Sequence, residues 1–211
     1  MRAYDGGVVL RYMLPPFGTG FRIQSEGTEF RFARAYDCFG LNLGTFGNSH
    51  EGEFDPVNSG KIRPFHLFDA PLVCKTGTGS ETIALAEADK QDYAGAYFSG
   101  FLDGAPGVGI RLSPRHDGRP DNAPAPPPVI VAQPAGPFAT PWRVIMTGDT
   151  PGTLVESSLI PVLARPGALK DTAWIRPGKG PGTGGTDGRW MFQIQVSTPP
   201  RTRPISISLL R

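Results

Sequence analysis

Apolar residues in this chain come in short blocks, each cut off within a few positions by glycine, proline or a polar turn. Residues 7–14 gather Val8, Val9, Leu10, Tyr12 and Leu14 around one arginine and stop at Pro15-Pro16, which predicts a strand. Phe21-Arg22-Ile23-Gln24 and Phe30-Arg31-Phe32 alternate apolar with polar, the pattern of half-buried strands, with a turn over Ser25–Glu29 between them. Phe65 to Val73 is a further strand candidate, and Lys75–Ser80 reads as a hairpin turn. It lacks the G-K-[ST] ending and the following helix that a phosphate loop needs. Trp142-Arg143-Val144-Ile145-Met146 is an apolar run holding one charge, a buried strand ending at Gly148-Asp149-Thr150. Leu154 to Leu163 and Asp171 to Ile175 are two more short blocks, read as further sheet edges. The sum is an all-β chain, an antiparallel β-sandwich over roughly residues 7–165.

Composition agrees with many short strands joined by turns. Gly (28) and Pro (23) together approach a quarter of the 211 residues. The net charge of +2 is close to balance and the basic residues form no stripe, which argues against nucleic acid as a partner. No run reaches the length of a membrane span, and Met1 is followed by no signal-peptide core. Cys38 and Cys74 could pair, but with no ligand-like neighbours they are read as two free, inert thiols. His50, with Glu51 and Glu53 in a glycine-rich loop, reads as solvated, and so does His116 in the proline-rich stretch 113–138.

Candidate chemistry is confined to one place. Ile83, Leu85 and Glu87 share one face of a strand by their spacing of two. A carboxylate on an apolar face is costly unless paired or metal-bound, so Glu87 either ends the strand in water or has a partner.

Several phrases, in this order, resemble glycoside hydrolase family 97. TPWRVIM, LVESSLI and LKDTAWIRPGK are similar to the segment where that family passes from its N-terminal β-sandwich into its catalytic barrel. DGGVVLRYMLP, SEGTEFRF and HEGEF look like its sandwich strands, with His50 replacing an aromatic residue. AEADKQDYAGAYF resembles the family's TEADLxDYxGM, whose glutamate reaches a calcium ion in the barrel's active site. The resemblance implies a calcium-dependent hydrolase of α-glucosides or α-galactosides, acting on α-linked oligosaccharide. Glu87 becomes the one expected metal ligand of this chain, and Asp89 and Asp92 are left with turn and surface roles. Periplasmic or secreted localisation is implied for the intact parent. Since such strands are not expected to open a chain, an internal start is expected, with a signal peptide and earlier strands upstream.

After Lys179 the resemblance stops. Gly182, Gly184 and Gly185 have codons beginning GG, and Thr183 and Thr186 have codons beginning AC. A shift of one nucleotide allows W-D-W-W-N there, similar to the family's next phrase. The organisation expected is therefore a sandwich domain over 1–165, a linker over 166–179, and an out-of-frame, disordered tail over 180–211. The catalytic (β/α)8 barrel is missing, and the expected sandwich is incomplete. Glycoside hydrolysis needs two facing carboxylates, which the resemblance places on the barrel, so this chain alone is expected to be inactive. The alternative reading is a non-catalytic, carbohydrate-binding β-sandwich.

Overall fold

A computed structural model describes the chain except at residues 17–20, 78–80, 92, 115–129, 133–136, 168, 175–182, 185–189 and 192–211. Two compact units emerge, Met1–Arg165 and Pro166–Arg211. In the first, the strands are β1 (Arg2–Tyr4), β2 (Gly7–Leu10), β3 (Met13–Leu14), β4 (Phe21–Ile23), β5 (Glu29–Arg31), β6 (Asp37–Gly40) and β7 (Asp55–Asn58). They continue as β8 (Leu72–Lys75), β9 (Thr82–Ala88), β10 (Ala96–Ser99), β11 (Gly107–Leu112), β12 (Ile130–Ala132), β13 (Phe138–Ala139) and β14 (Trp142–Gly148). Two helical turns close the unit, α1 (Pro151–Val155) and α2 (Leu159–Leu163). In the second unit a pair, β15 (Thr183–Gly184) with β16 (Trp190–Met191), is described. The expectation for residues 180–211 otherwise lies outside the described residues.

The main sheet is antiparallel throughout, in the order β1-β2-β14-β9-β8-β6-β7. A smaller sheet, β10-β11-β5, supplies the second layer of the sandwich. Between the layers Leu72, Cys74 and Leu85 of the main sheet meet Phe30, Phe98, Val108 and Ile110 of the smaller one. The outer face of the main sheet is covered too. There Val9, Ala84, Ala88, Val144 and Met146 pack with Leu159 and Leu163. Burial on both faces explains why β14 reads as a continuous apolar run and not an alternating one. Close approach also fixes Gly7, whose φ is 152° and where a Cβ would lie 2.2 Å from the Ile145 carbonyl oxygen, so no side chain fits.

Several sequence expectations need correction. Leu154–Leu163 forms α1 and α2, not a sheet edge. Thr150 accepts a hydrogen bond from the Thr153 amide at 3.3 Å, and Pro151 opens the first helical turn. Pro161 falls in the first turn of α2, where its missing N–H costs nothing; in a sheet ladder it would remove a bond. Asp171–Trp174 is likewise not a strand, while Ile175 lies outside the described residues. The strand expected from Phe65 begins only at Leu72. Phe68 makes isolated bridges to Asn42 and Phe98 instead, in a segment holding Pro64 and Pro71. Residues 7–14 are two strands, because the chain leaves the main sheet after Leu10 and pairs with β13 from Met13.

The thiol expectation is also overturned. Cys38 on β6 and Cys74 on β8 are direct cross-strand partners, with Cα atoms 3.9 Å apart, and they form a disulfide. Sheet register brings together two residues separated by 36 positions in sequence.

Candidate functional site

β9 and β14 run side by side in the main sheet, with Glu87 directly opposite Arg143. Opposed residues project to the same face, here the interior between the two layers. A guanidinium there has lost its water, and the Arg143 side chain is 0% exposed. Its hydrogen-bonding atoms are met by carboxylates on two sides. Nη1 donates to Glu87 Oε2 at 2.7 Å; Nε and Nη2 donate to Glu26 Oε1 and Oε2 at 2.8 and 2.5 Å. The Glu26 contact is the two-pronged pairing that the planar fork of arginine favours.

Glu26 is saturated with donors. Thr28 Oγ1 donates to its Oε1 at 2.7 Å, and the Tyr93 hydroxyl donates to its Oε2 at 3.1 Å. Tyr12 extends the network, its hydroxyl lying 3.0 Å from Thr28 Oγ1. Burial by itself would raise the Glu26 carboxyl, but the hydrogen bond and charge of Arg143, with Thr28 and Tyr93, outweigh it. Glu26 is held below the ordinary carboxylate value. For Arg143, burial pulls down and the two glutamates push up, with the glutamates prevailing. Burial first, then the charge of Glu26, raises the Tyr93 phenol.

Glu87 is treated differently at its two oxygens. Oε2 accepts from Arg143 and also from the Ala96 amide at 3.3 Å. Oε1 lies 3.5 Å from Lys90 Nζ, on a half-exposed side chain. Glu87 and Lys90 line a cleft of about 500 Å³ together with Asp69, Tyr97, Leu154 and Ile160. Burial first, and then Asp69 and Glu87, raises the Tyr97 phenol. A larger hollow of about 650 Å³ lies at the other end of β9, lined by Asp5, Glu81, Asp149 and Glu156 among others.

Two residues beyond Glu87 the chain turns at Asp89, which adopts a left-handed φ of 55°. This residue is not at the surface as expected. Its carboxylate is 2% exposed and accepts from the Arg165 amide at 3.3 Å and from Arg165 Nε at 3.1 Å. Arg11 Nη1 stands 3.7 Å away, and its guanidinium lies over the Trp142 ring at 4.2 Å. Asp89 thus ties the end of β9 to Arg165, the last residue of the first unit. Asp92 and His116 lie outside the described residues. His50 is not merely solvated: its Nδ1 lies 2.6 Å from Asp69 Oδ2, and its ring is 6.0 Å from that of Tyr97. Glu51 and Glu53 are exposed.

Among the described residues no group of three or more His, Cys, Asp or Glu side chains could hold a metal ion. Glu87 fits a hard cation as one oxygen ligand through Oε1, and further ligands would have to come from elsewhere. Glu26 and Arg143 were not expected at this site. One signal for Arg143 was present, since a charge inside an apolar strand needs a counter-ion and Glu87 needed a partner. Glu26 gave none, sitting 117 residues from Arg143 in what reads as a plain turn.

The chain is 26% identical to a retaining alpha-galactosidase of Bacteroides thetaiotaomicron, over 84% of this chain and 29% of that protein. It is 25% identical to a glycoside hydrolase family 97 enzyme of Pseudoalteromonas sp. strain K8, solved with acarbose, at a TM-score of 0.64. That match covers 83% of this chain and 24% of the enzyme. A variant of the same enzyme in complex with panose matches at a TM-score of 0.63. The chain therefore spans less than a third of the length of these relatives. No described helix is long and apolar enough to cross a membrane. The family model for the glycosyl-hydrolase 97 N-terminal domain matches residues 1–166, a span that holds both charged clusters, and the chain belongs to that family.

Proposed function

We propose that this chain is the sandwich domain of a calcium-dependent hydrolase of α-glucosides or α-galactosides, to which it contributes one metal-binding carboxylate, Glu87. The observation that carries the reading is the asymmetry of Glu87, with one oxygen pinned inside and the other at a cleft. The relatives support the substrate class: one is a retaining alpha-galactosidase, and the other was solved with acarbose and with panose. Calcium takes six to eight oxygens, so a single carboxylate suits a shared site whose other ligands belong to a catalytic domain. Bound there, calcium would supply a Lewis-acidic positive charge. The residues of this chain orient one ligand and exclude water behind it.

Catalysis does not belong to this unit. Hydrolysis requires an acid and a second carboxylate facing each other across the bond at about 5–9 Å. Glu26 and Glu87 are two neighbouring carboxylates, but Arg143 lies between them and bonds both, so neither faces a substrate as a proton donor. The disulfide supports a periplasmic or secreted setting for the parent, since such bonds persist in oxidising compartments. Residues from about Gly180 onward are proposed as an out-of-frame translation, tested by resequencing the gene around the Lys179 codon. The functional test is to incubate the pure chain with chromogenic α-glucoside and α-galactoside, with calcium and with chelator. No release is expected. Calcium-dependent release that disappears in Glu87→Gln would overturn the reading of this unit as non-catalytic, and tight calcium binding in calorimetry would show a complete local site.

A further inference from the structure

The Glu26–Arg143 pair has a role beyond neutralising a buried charge. We infer that Arg143, held by Glu26, is a positioning residue that fixes the carboxylate of Glu87 and presents Oε1 alone to an incoming cation. The donors of Arg143 are divided between two carboxylates. Arg143 reaches Glu26 with Nε and Nη2, which leaves Nη1 for Glu87. Were Glu26 neutral, the same guanidinium could turn its fork onto Glu87 and cover both oxygens, because two-pronged pairing is its strongest mode. Glu26 therefore keeps Arg143 from taking all of Glu87. The Ala96 amide adds a second hold on Oε2, so rotation that offered both oxygens to a cation would break two bonds. Lys90 stands at the remaining oxygen as a tethered counter-charge from a half-exposed side chain. It must swing away when a cation arrives, which its position allows.

The calcium reading of Glu87 gives this arrangement its purpose, and the geometry stands apart from it. Both are tested on the full 211-residue chain, labelled with ¹⁵N, using calcium chloride as the probe. The Ala96 amide reports the pinned oxygen, and the Lys90 amide reports the open one. In the unaltered chain Ala96 should be protected from hydrogen exchange, and millimolar calcium should shift Lys90 while leaving that protection intact. Lys90→Ala should lower the calcium concentration for half-response several-fold without moving Ala96. Glu26→Gln should expose the Ala96 amide to exchange and abolish the calcium response. A purely structural role for Glu26 would lower the melting temperature yet leave the response of the folded protein unchanged. Should Glu26→Gln fail to fold, Tyr93→Phe removes one donor from Glu26 and should give a weaker form of the same two effects. Ala96 protection and calcium response unchanged in a folded Glu26→Gln, or in Tyr93→Phe, would overturn the inference. Calcium that moves no amide near Glu87, with Ala96 still released by Glu26→Gln, would defeat the metal reading and leave the positioning role standing.

Discussion

Two charged clusters sit at the same end of β9, two residues apart, and they are built in opposite ways. In the inner one a buried cation, Arg143, lies between the carboxylates of Glu26 and Glu87. In the outer one a buried anion, Asp89, lies between Arg11 and Arg165, whose side chains are 22% and 51% exposed. The inner cluster must be satisfied by protein because no water reaches Arg143. The outer cluster has arginines whose charge solvent already screens. Pairing in the interior is therefore obligatory and fixes orientation, whereas pairing at the rim anchors the chain where it leaves the unit.

The largest effect should come from breaking the inner cluster. Arg143→Ala leaves two carboxylates buried without their cation and should cost about 3–5 kcal/mol, read by urea denaturation. Breaking the outer cluster should cost less. Asp89→Ala removes the acceptor of the Arg165 amide and Nε and the counter-charge of Arg11, and should lower stability by about 1–3 kcal/mol in the same assay. Arg165→Ala, at the exposed side, should cost at most about 1 kcal/mol. Equal losses for Arg143→Ala and Arg165→Ala would erase the distinction between interior and rim.

Acid sharpens the comparison. The folded-state value of Glu26 is depressed below its ordinary 4.5, so its contribution is fully present above that pH. That contribution is lost as pH falls through the lowered value. Melting temperature followed from pH 7 downward should therefore drop more steeply below about pH 4.5 in the unaltered chain than in Glu26→Gln. Parallel curves would show that Glu26 contributes no acid-sensitive stability. The smallest effect is expected at the far end of the chain. Deleting residues 180–211 takes away no member of either cluster and should leave the melting temperature unchanged.

Much of the fold was legible because strand burial writes itself into residue alternation. Val8 to Leu10, Ile83 to Glu87 and Trp142 to Met146 all sit in strands, with Glu87 on the interior face that its spacing from Leu85 assigns. What stayed hidden depends on register and long-range pairing. Cys38 and Cys74 meet only because β6 and β8 align in one register, and Glu26 meets Arg143 across 117 positions of sequence. Leu154 to Leu163 misled for a local reason. A short apolar block carries no reliable period, and the cue lay in Thr150-Pro151 and Pro161, which favour helical turns. Asp89 reads as a surface acid because the arginines that bury it, Arg11 and Arg165, lie at opposite ends of the unit's sequence.

Glu26, Arg143 and Glu87 act as one buried unit, and urea denaturation of four proteins tests that coupling. These are the unaltered chain, Arg143→Met, the double variant Glu26→Gln with Glu87→Gln, and the triple variant combining all three. Removing only the cation, or only the anions, strands buried charge; removing all three strands none. The triple variant should therefore recover most of the stability lost in Arg143→Met. A triple variant whose loss equals the sum of the other two would show three independent residues and no buried unit.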